Sequence, residues 1–424
     1  MDVIAVLGVI SGIIFLGFLS EQIFKKTNIP DVLLLIGVGI GIGTILEWTN
    51  AEAFGSGASL FTTFALIFIL FQGALSIDFH TLIKSLSSSM KITVLNFFLT
   101  VIVITIISYI LGYDPLVAML IGMILGGTSS AVVIPLVNSI DIKDKYGLIL
   151  TLESAISDVL SIVGTITILE IMKTGEVVAS SIFNSVLTSF SLALVVGLIV
   201  GLLWVFIMAK SELLTKSYLL TVAVVVGLYA FVESPFVGGS GAIAALMFGL
   251  VLGNSRLLLS KTHNHTKPKD IEEHENKVIK NVLSPTAKNF YGEISFFVKT
   301  FFFVYLGILI DFSNPAIFLY GAFLTLGIYL IRPFAVKLVF GKEHLEPQDR
   351  TFLEILIPKG LAAAVLAGVA VQSGVLGDGA GSFINMILSV VLLSILLTSI
   401  LLFLTQKNWF KGFLPFLGSK VENK

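Results

Sequence analysis

The chain has 424 residues, of which 56% are hydrophobic and 12% are charged, and its formal net charge is -1. This composition, with a mean hydropathy of +1.01, is typical of a polytopic membrane protein. The charges lie in short segments between apolar runs, which gives no sign of nucleic-acid binding, and the lack of cysteine excludes disulfides and thiolate metal sites. The first apolar run has neither a basic flank nor a small-residue cleavage site, so we expect it to be retained as a helix.

Successive apolar runs predict an all-α polytopic protein with roughly thirteen transmembrane helices, because about 20 residues at a rise of about 1.5 Å cross a hydrocarbon core of about 30 Å. The predicted spans are residues 3–23, 30–46, 58–76, 91–112, 115–138, 147–172, 180–208, 217–232, 239–254, 292–310, 315–340, 351–374 and 383–406.

Basic residues concentrate in alternate loops, from Lys25 and Lys26 after the first span to Lys342 and Arg350 before the twelfth. Lys173 is the single basic exception in the opposite loops. The positive-inside rule therefore predicts an N-terminus outside and a C-terminus in the cytoplasm. We expect a multi-pass protein of the plasma membrane.

One long polar segment, residues 255–290, interrupts the apolar runs and carries three histidines. We expect a solvated cytoplasmic linker, and a pH or metal sensor is the alternative. The histidines are His263, His265 and His274.

Two similar stretches indicate an internal repeat. LFQGALSIDF (70–79) ends the third span at the predicted inner surface, and VYLGILIDF (304–312) ends the tenth at the outer surface. Similar sequence running in opposite directions predicts two inverted six-helix repeats, joined by the seventh span.

Two spans at equivalent repeat positions contain helix-breaking residues: GGTSSAVVIP (126–135) in the fifth and IPKGLAAAV (357–365) in the twelfth. Glycine weakens a helix, and proline lacks a backbone donor and clashes with the preceding turn. Either span alone is equally compatible with a simple proline kink. Broken helices at membrane depth line cavities and form ion sites, so the pair favours a functional interpretation.

The sixth span contains two carboxylates, Glu153 and Asp158, within an apolar run (150–169). An acid inside a membrane segment costs at least a few kcal/mol, so its default interpretation is an ion or proton site. Five residues on a helix correspond to a rotation of roughly 140°, so the two acids need different partners.

Arg332 in the eleventh span is the expected partner of Glu153, because a permanently charged guanidinium requires a stable anion. Snorkelling of Arg332 to the inner surface is the alternative. Two lysines within spans are weaker accessory candidates: Lys359, which could neutralise carbonyl groups at the twelfth-span break, and Lys299.

This assignment leaves Asp158 unpaired. Burial disfavours its charged form, so Asp158 can hold either a proton or a small hard cation. Further oxygen ligands would come from Ser154, which shares its helix face, and from Thr128 and Ser129 at the fifth-span break. Competition at one carboxylate produces exchange if the site opens to one side of the membrane at a time.

The chain resembles the monovalent cation:proton antiporter superfamily, and most closely its NhaP-type sodium/proton exchangers. The resemblance rests on ESAISD (153–158) in the sixth span, the T-x-S-type interruption at 128–130 and Arg332. It implies an NhaA-like fold with crossed discontinuous helices, a homodimer in the lipid bilayer, and elevator-type alternating access. It implies transport of Na+ and H+ rather than enzymatic activity, with no cofactor and no obligate protein partner.

The resemblance also implies a division of the chain and of the site. Residues matching Thr128, Ser154 and Asp158 coordinate the cation, and Glu153 and Arg332 form a structural ion pair. The implied division is 1–79 (dimerisation domain, first part), 90–173 (core domain, first part), 180–310 (linker helix and dimerisation domain, second part), 315–407 (core domain, second part) and 408–424 (cytoplasmic tail).

The chain departs from the NhaP pattern at several polar positions. Ser157, a further candidate ligand, replaces the usual Asn before the essential Asp. Gln72, an accessory candidate, replaces a Glu in the third span, and Ser129 replaces an Asp at the fifth-span break. With no second carboxylate, the resemblance favours electroneutral one-for-one exchange and makes potassium an alternative to sodium. Lithium is a further alternative cation.

Other classes of protein fit the sequence less well. A sodium-coupled symporter of an organic anion could use a similar scaffold. A channel is disfavoured because no filter sequence is present. An intramembrane aspartyl protease needs two aspartates, and only Asp158 lies deep in a span.

Overall fold

The structure is a computed structural model that describes residues 3–27, 31–46, 57–75, 77, 79–175, 179–210, 217–255, 285–341, 343, 345–407 and 409. Regular structure in these ranges is helical, without strands. The three histidines of the polar segment lie outside the described residues. The chain divides into two compact units: Met1–Ser59, Ser85–Val177 and Thr300–Lys424 form the first, and Leu60–Lys84 and Val178–Lys299 form the second.

The helices follow the predicted spans closely. They are α1 (Val3–Thr27), α2 (Asp31–Ile40, continued by a π-helical turn, Gly41–Ile45), α3 (Gly57–Leu75), α4 (Phe79–Ile110), α5 (Pro115–Gly126), α6 (Ser130–Ser139), α7 (Asp144–Thr174), α8 (Ala179–Lys210), α9 (Ser217–Glu233), α10 (Gly241–Gly253), α11 (Pro285–Leu309), α12 (Pro315–Phe340), α13 (Pro347–Ile355), α14 (Leu361–Gln372) and α15 (Ala380–Gln406).

Eight helical segments of the described ranges are long and apolar enough to cross a membrane, and five shorter apolar helices accompany them. The chain is therefore a multi-pass membrane protein. The predicted total of thirteen spans and the inverted repeat stay predictions.

Two helices begin earlier than the sequence predicts. α4 starts at Phe79 instead of residue 91, because its polar first turns (HTLIKSLSSS) lower the hydropathy without stopping the helix. α11 starts at Pro285, so the predicted polar segment already becomes helical before its end. Proline suits this position because the first turn of a helix has no use for its missing N–H.

In the first unit, α7 is the element around which the broken helices pack. α5, α6 and α14 all contact it, and α15 contacts α12 and α14. Small residues permit the close approach: a Cβ at Gly164 of α7 would lie 2.6 Å from the sulfur of Met123 on α5. This packing brings the ends of the broken helices against α7.

The second unit is built on α8, α9 and α10, with α10 packed against both of the others. Aromatic side chains fill its interior: the rings of Phe71 and Tyr291 meet edge to face at 5.3 Å between centroids, and both side chains are buried. Such contacts stabilise the unit beyond the burial of apolar area.

Candidate functional site

The first helix break lies between α5 and α6. The chain is extended at Gly127 (φ -72°, ψ 160°), and α6 begins at Ser130. A Cβ at Gly127 would lie 2.6 Å from Ser161 Oγ on α7, so glycine allows this segment to lie directly against α7. The N–H of Thr128 donates to Ser157 Oγ on α7 at 3.0 Å, which fixes the break there.

The second break lies between α13, which ends at Ile355, and α14, which begins at Leu361. The two breaks contact each other: the N–H of Ser129 donates to the carbonyl oxygen of Pro358 at 2.8 Å. A side chain at Gly360 would overlap Ser129. Discontinuous helices therefore meet at their broken ends beside α7.

Proline alone does not place the breaks. Pro135 belongs to the predicted interruption, but it lies inside α6, downstream of the actual break at 127–129. Pro333, next to Arg332, is likewise accommodated inside α12. The observed break lies inside the predicted stretch 126–135, which is too broad at its proline end: an interior proline costs a hydrogen bond, but neighbouring helices can hold the helix together.

Asp158 is buried on α7, with 4% of its surface exposed. Its Oδ2 accepts a hydrogen bond from Ser130 Oγ at 2.8 Å. Because Ser130 is the first residue of α6, the carboxylate lies at the positive end of that helix dipole. No basic side chain of the described residues forms an ion pair with Asp158, so its carboxylate is held by a neutral partner.

Two hydroxyl groups at the first break are candidate ligands. Thr128 Oγ1 and Ser129 Oγ are buried and have no hydrogen-bond partner among the described residues. A buried polar atom without a partner costs free energy and calls for a ligand or a water molecule. These two oxygens therefore stay candidate ligands at the first break.

The other two predicted ligands are engaged with the backbone of their own helix. Ser154 Oγ donates to the carbonyl oxygen of Thr151 at 2.9 Å, and Ser157 Oγ donates to the carbonyl oxygen of Ser154 at 3.1 Å. Their oxygens can still accept or coordinate through remaining lone pairs. One lone pair of Ser157 Oγ accepts the hydrogen bond from the N–H of Thr128, so Ser157 also fixes the position of the first break.

Glu153 and Arg332 form a bidentate ion pair in which both nitrogen ends of the guanidinium donate to the carboxylate. Arg332 Nε donates to the carbonyl oxygen of Leu353 at 2.7 Å, which satisfies the remaining side of the guanidinium. Arg332 is fully buried and Glu153 is 1% exposed. Glu153 is thus occupied, and snorkelling of Arg332 to the surface does not occur.

Lys359 lies in the second break and is 1% exposed. Its Nζ donates to the carbonyl oxygen of Gly127 in the first break at 2.7 Å, so it neutralises the negative end of α5. Its N–H donates to Ser394 Oγ of α15 at 2.9 Å. The predicted acceptors are carbonyl groups of its own break, whereas the acceptor in the structure belongs to the first break, so Lys359 joins the two breaks.

The remaining accessory candidates, Gln72 and Lys299, belong to the second compact unit. Gln72 lies half-buried on α3, with its Nε2 directed toward Gly292, and Lys299 lies half-buried on α11. Their part in the site stays a prediction.

Sequence reasoning missed Ser130 and Ser394. Ser130 belongs to the same run of hydroxyl residues as Thr128 and Ser129, but the pattern does not say which hydroxyl faces α7. Ser394 lies inside an apolar helix, without a local signal. A buried serine in a membrane helix is a hint that a polar partner lies opposite.

A multi-pass membrane protein in which two broken helices meet beside a buried, unpaired carboxylate belongs to the class of ion-coupled secondary transporters. Comparison with known sequences identifies the family. The chain belongs to the sodium/hydrogen exchanger transmembrane family, which its residues 10–407 match. The resemblance to NhaP-type cation:proton antiporters is thereby confirmed, and the family is one of transporters.

Similar proteins cover most of the chain. It is 27% identical to the probable Na(+)/H(+) antiporter 2 of Methanocaldococcus jannaschii, over 87% of this chain and 85% of that one. It is 26% identical to the K(+)/H(+) antiporter NhaP2 of Shewanella oneidensis, over 89% of this chain and 62% of that one. The sodium proton antiporter MjNhaP1 of M. jannaschii, solved at pH 8, has the same fold, with a TM-score of 0.77 over 96% of this chain and 99% of that chain, at 22% identity.

Proposed function

We propose that the chain exchanges sodium ions for protons across the plasma membrane and so contributes to pH homeostasis. The observation that carries this proposal is Asp158, a buried carboxylate without an ion pair among the described residues, bound by Ser130 at a helix break whose hydroxyl groups of Thr128 and Ser129 are buried without partners. The name of the M. jannaschii relative supports sodium and protons as the exchanged ions.

In this proposal Asp158 binds either a proton or Na+, and the hydroxyl groups of Thr128 and Ser129 complete the cation site. Ser154 and Ser157 are secondary ligands. Oxygen ligands suit a hard cation, and a proton on Asp158 removes the charge that attracts the cation. Binding of the two ions is therefore mutually exclusive.

We propose exchange of one Na+ for one H+, because a single carboxylate would carry either ion. Arg332 holds Glu153 in an ion pair, so Asp158 alone would exchange ions in this proposal. Loading Asp158 with either ion adds the same single charge. The membrane potential, worth about 2.3 kcal/mol per charge per 100 mV, then favours neither loaded state.

Alternating access completes the mechanism. We propose a homodimer in which the crossed broken helices move, elevator-like, within a core domain of residues 90–173 and 315–407. Residues 1–79 and 180–310 would form the dimerisation domain, in an inverted-repeat arrangement. The N-terminus would lie outside, and residues 408–424 would form a cytoplasmic tail.

Potassium/proton exchange is the second candidate. It is favoured by the K(+)/H(+) antiporter name of the Shewanella relative and by the lack of a second carboxylate in the first break. A site with one full negative charge attracts the more strongly hydrated Na+ less well than a site with two.

The test is dye-monitored proton flux in proteoliposomes, with Na+, Li+ and K+ added in turn across a range of pH. Competition at one carboxylate predicts that, on the acid side, the apparent KM for the cation rises about tenfold per pH unit. Asp158→Asn should abolish exchange and leave a folded protein, whereas Asp114→Asn, at an exposed helix cap without a side-chain cap bond, should exchange normally. Normal exchange by Asp158→Asn would overturn the proposal.

A further inference from the structure

A groove of about 1110 Å³ lies between α4 and the C-terminal part of α12, within the first compact unit. The two helices approach each other where Gly327 of α12 faces Val103 and Ile107 of α4. Lys337 follows Gly327 by about 15 Å along the helix, so the groove opens beyond this contact, toward the start of α4. Its volume exceeds the roughly 300–1,000 Å³ of a pocket for a drug-sized ligand.

Three basic residues line this groove: Lys91 of α4, Lys337 of α12 and Arg350 of α13. No carboxylate of the described residues pairs with any of them. The buried Nε of Arg350 has no hydrogen-bond partner in the same part of the chain. Arg350 also lies in the first turn of α13, where the helix dipole disfavours a cation. Together, these residues favour an anionic ligand in the groove.

The wall of the groove is apolar and exposed. Met90, Val94, Phe334 and Leu338 line it, with between 37% and 57% of their surfaces exposed. An inorganic anion would leave this wall uncovered. The combination of a cationic end and a continuous apolar wall matches a ligand with a phosphate group and a hydrocarbon chain.

We propose that this groove binds one anionic phospholipid, with the headgroup phosphate between Lys91, Lys337 and Arg350 and an acyl chain along Phe334 and Leu338. The loops at this end of α4 and α12 are the ones whose charge predicts the cytoplasmic side, where a membrane presents its anionic lipids to basic residues. The site is separate from Asp158 and does not depend on the transported ion.

The test uses the full chain, purified in a mild detergent and titrated with phosphatidylglycerol or phosphatidylcholine, with bound lipid counted by native mass spectrometry. We expect one phosphatidylglycerol per protomer that phosphatidylcholine does not replace. Each of Lys91→Gln, Lys337→Gln and Arg350→Gln should weaken its binding about fivefold, and the triple variant on the order of a hundredfold.

Two controls separate this site from general attraction and from a free phosphate site. Lys288→Gln, at an exposed lysine outside the groove, should bind like the wild type. Leu338→Asn, which keeps all three cations, should weaken phosphatidylglycerol binding, and glycerol phosphate should not compete with the lipid at equal concentration. Undiminished binding by the triple variant, equal retention of phosphatidylcholine, or competition by glycerol phosphate would overturn the proposal. If the triple variant does not fold, the single Lys337→Gln variant, at an exposed position, decides the question.

Discussion

The buried pair of Glu153 and Arg332 gives the sharpest prediction for stability. Glu153→Gln keeps the size of the side chain but removes its charge, which leaves the fully buried guanidinium of Arg332 without a counterion. Breaking a buried ion pair from one side typically costs about 3–5 kcal/mol. The Gln oxygen can still accept one hydrogen bond, so we expect a loss near the lower end, about 3 kcal/mol.

The loss is measured by unfolding in mixed micelles with increasing SDS, followed by far-UV circular dichroism. Glu170→Gln, an exposed acid near the end of the same helix, is the matched control and should change stability by less than about 0.5 kcal/mol. The double variant Glu153→Leu with Arg332→Leu removes both charges, so it should lose far less than the sum of Glu153→Leu and Arg332→Leu.

Transport by the double variant separates a structural from a transporting role. If the pair is structural, the double variant should retain measurable exchange, because Asp158 is intact. A Glu153→Gln variant as stable as the wild type would refute the assigned role. So would a stable double variant without exchange.

Three further predictions concern the breaks and the polar end of α7. Gly360→Ala should prevent the two breaks from meeting, because its Cβ would overlap Ser129, and should abolish folding or exchange. Gly368→Ala, on the helix that follows, meets no neighbour and should be neutral or stabilising. Protein yield and proton flux measure both effects. Ser130→Ala removes a hydrogen bond that favours the charged form of Asp158. Protons should then inhibit cation exchange at a higher pH than in the wild type. An unchanged decline of the exchange rate toward acid pH would contradict this. The hydrogen bond that Lys143 donates to Glu346 raises the pKa of Lys143 above its ordinary value of 10.5. The stabilisation is therefore present below pH 10.5 and is lost as the pH rises through the higher pKa of the folded protein. In thermal melting, Lys143→Gln should lower the melting temperature at about pH 8 but not at a pH above that folded-state pKa.

The positions of the breaks illustrate what local sequence rules predict. Glycine and proline in corresponding spans indicate two interruptions, and the structure contains both. The rules place the first interruption too broadly, since Pro135 is helical and the break depends on Gly127 lying against Ser161. That contact joins different helices, so no pattern within one helix contains it.

The partners of the buried charges illustrate the same limit. Helix geometry alone separates Glu153 from Asp158, and the permanent charge of Arg332 assigns it to one of them. The contact between Lys359 and Gly127 joins residues 232 positions apart. Its acceptor is a backbone carbonyl, which every residue has, so the residue type does not predict the contact. Likewise, the sequence cannot select Ser130 from its neighbouring hydroxyl residues, because the selection depends on the direction in which the extended segment turns.

The contact of Lys359 with the first break explains how Asp158 can remain available beside a buried lysine. An ammonium group this deep in the protein requires an acceptor, and Asp158 would be the strongest one. The end of α5 supplies a competing acceptor, the Gly127 carbonyl, whose helix dipole adds negative charge. Asp158 is instead held by a neutral hydroxyl group, which a cation can approach without displacing a charged partner. In the proposed exchange, the carbonyl end of α5 is thus as important as the cation ligands, because it keeps Lys359 from occupying the place of the transported ion.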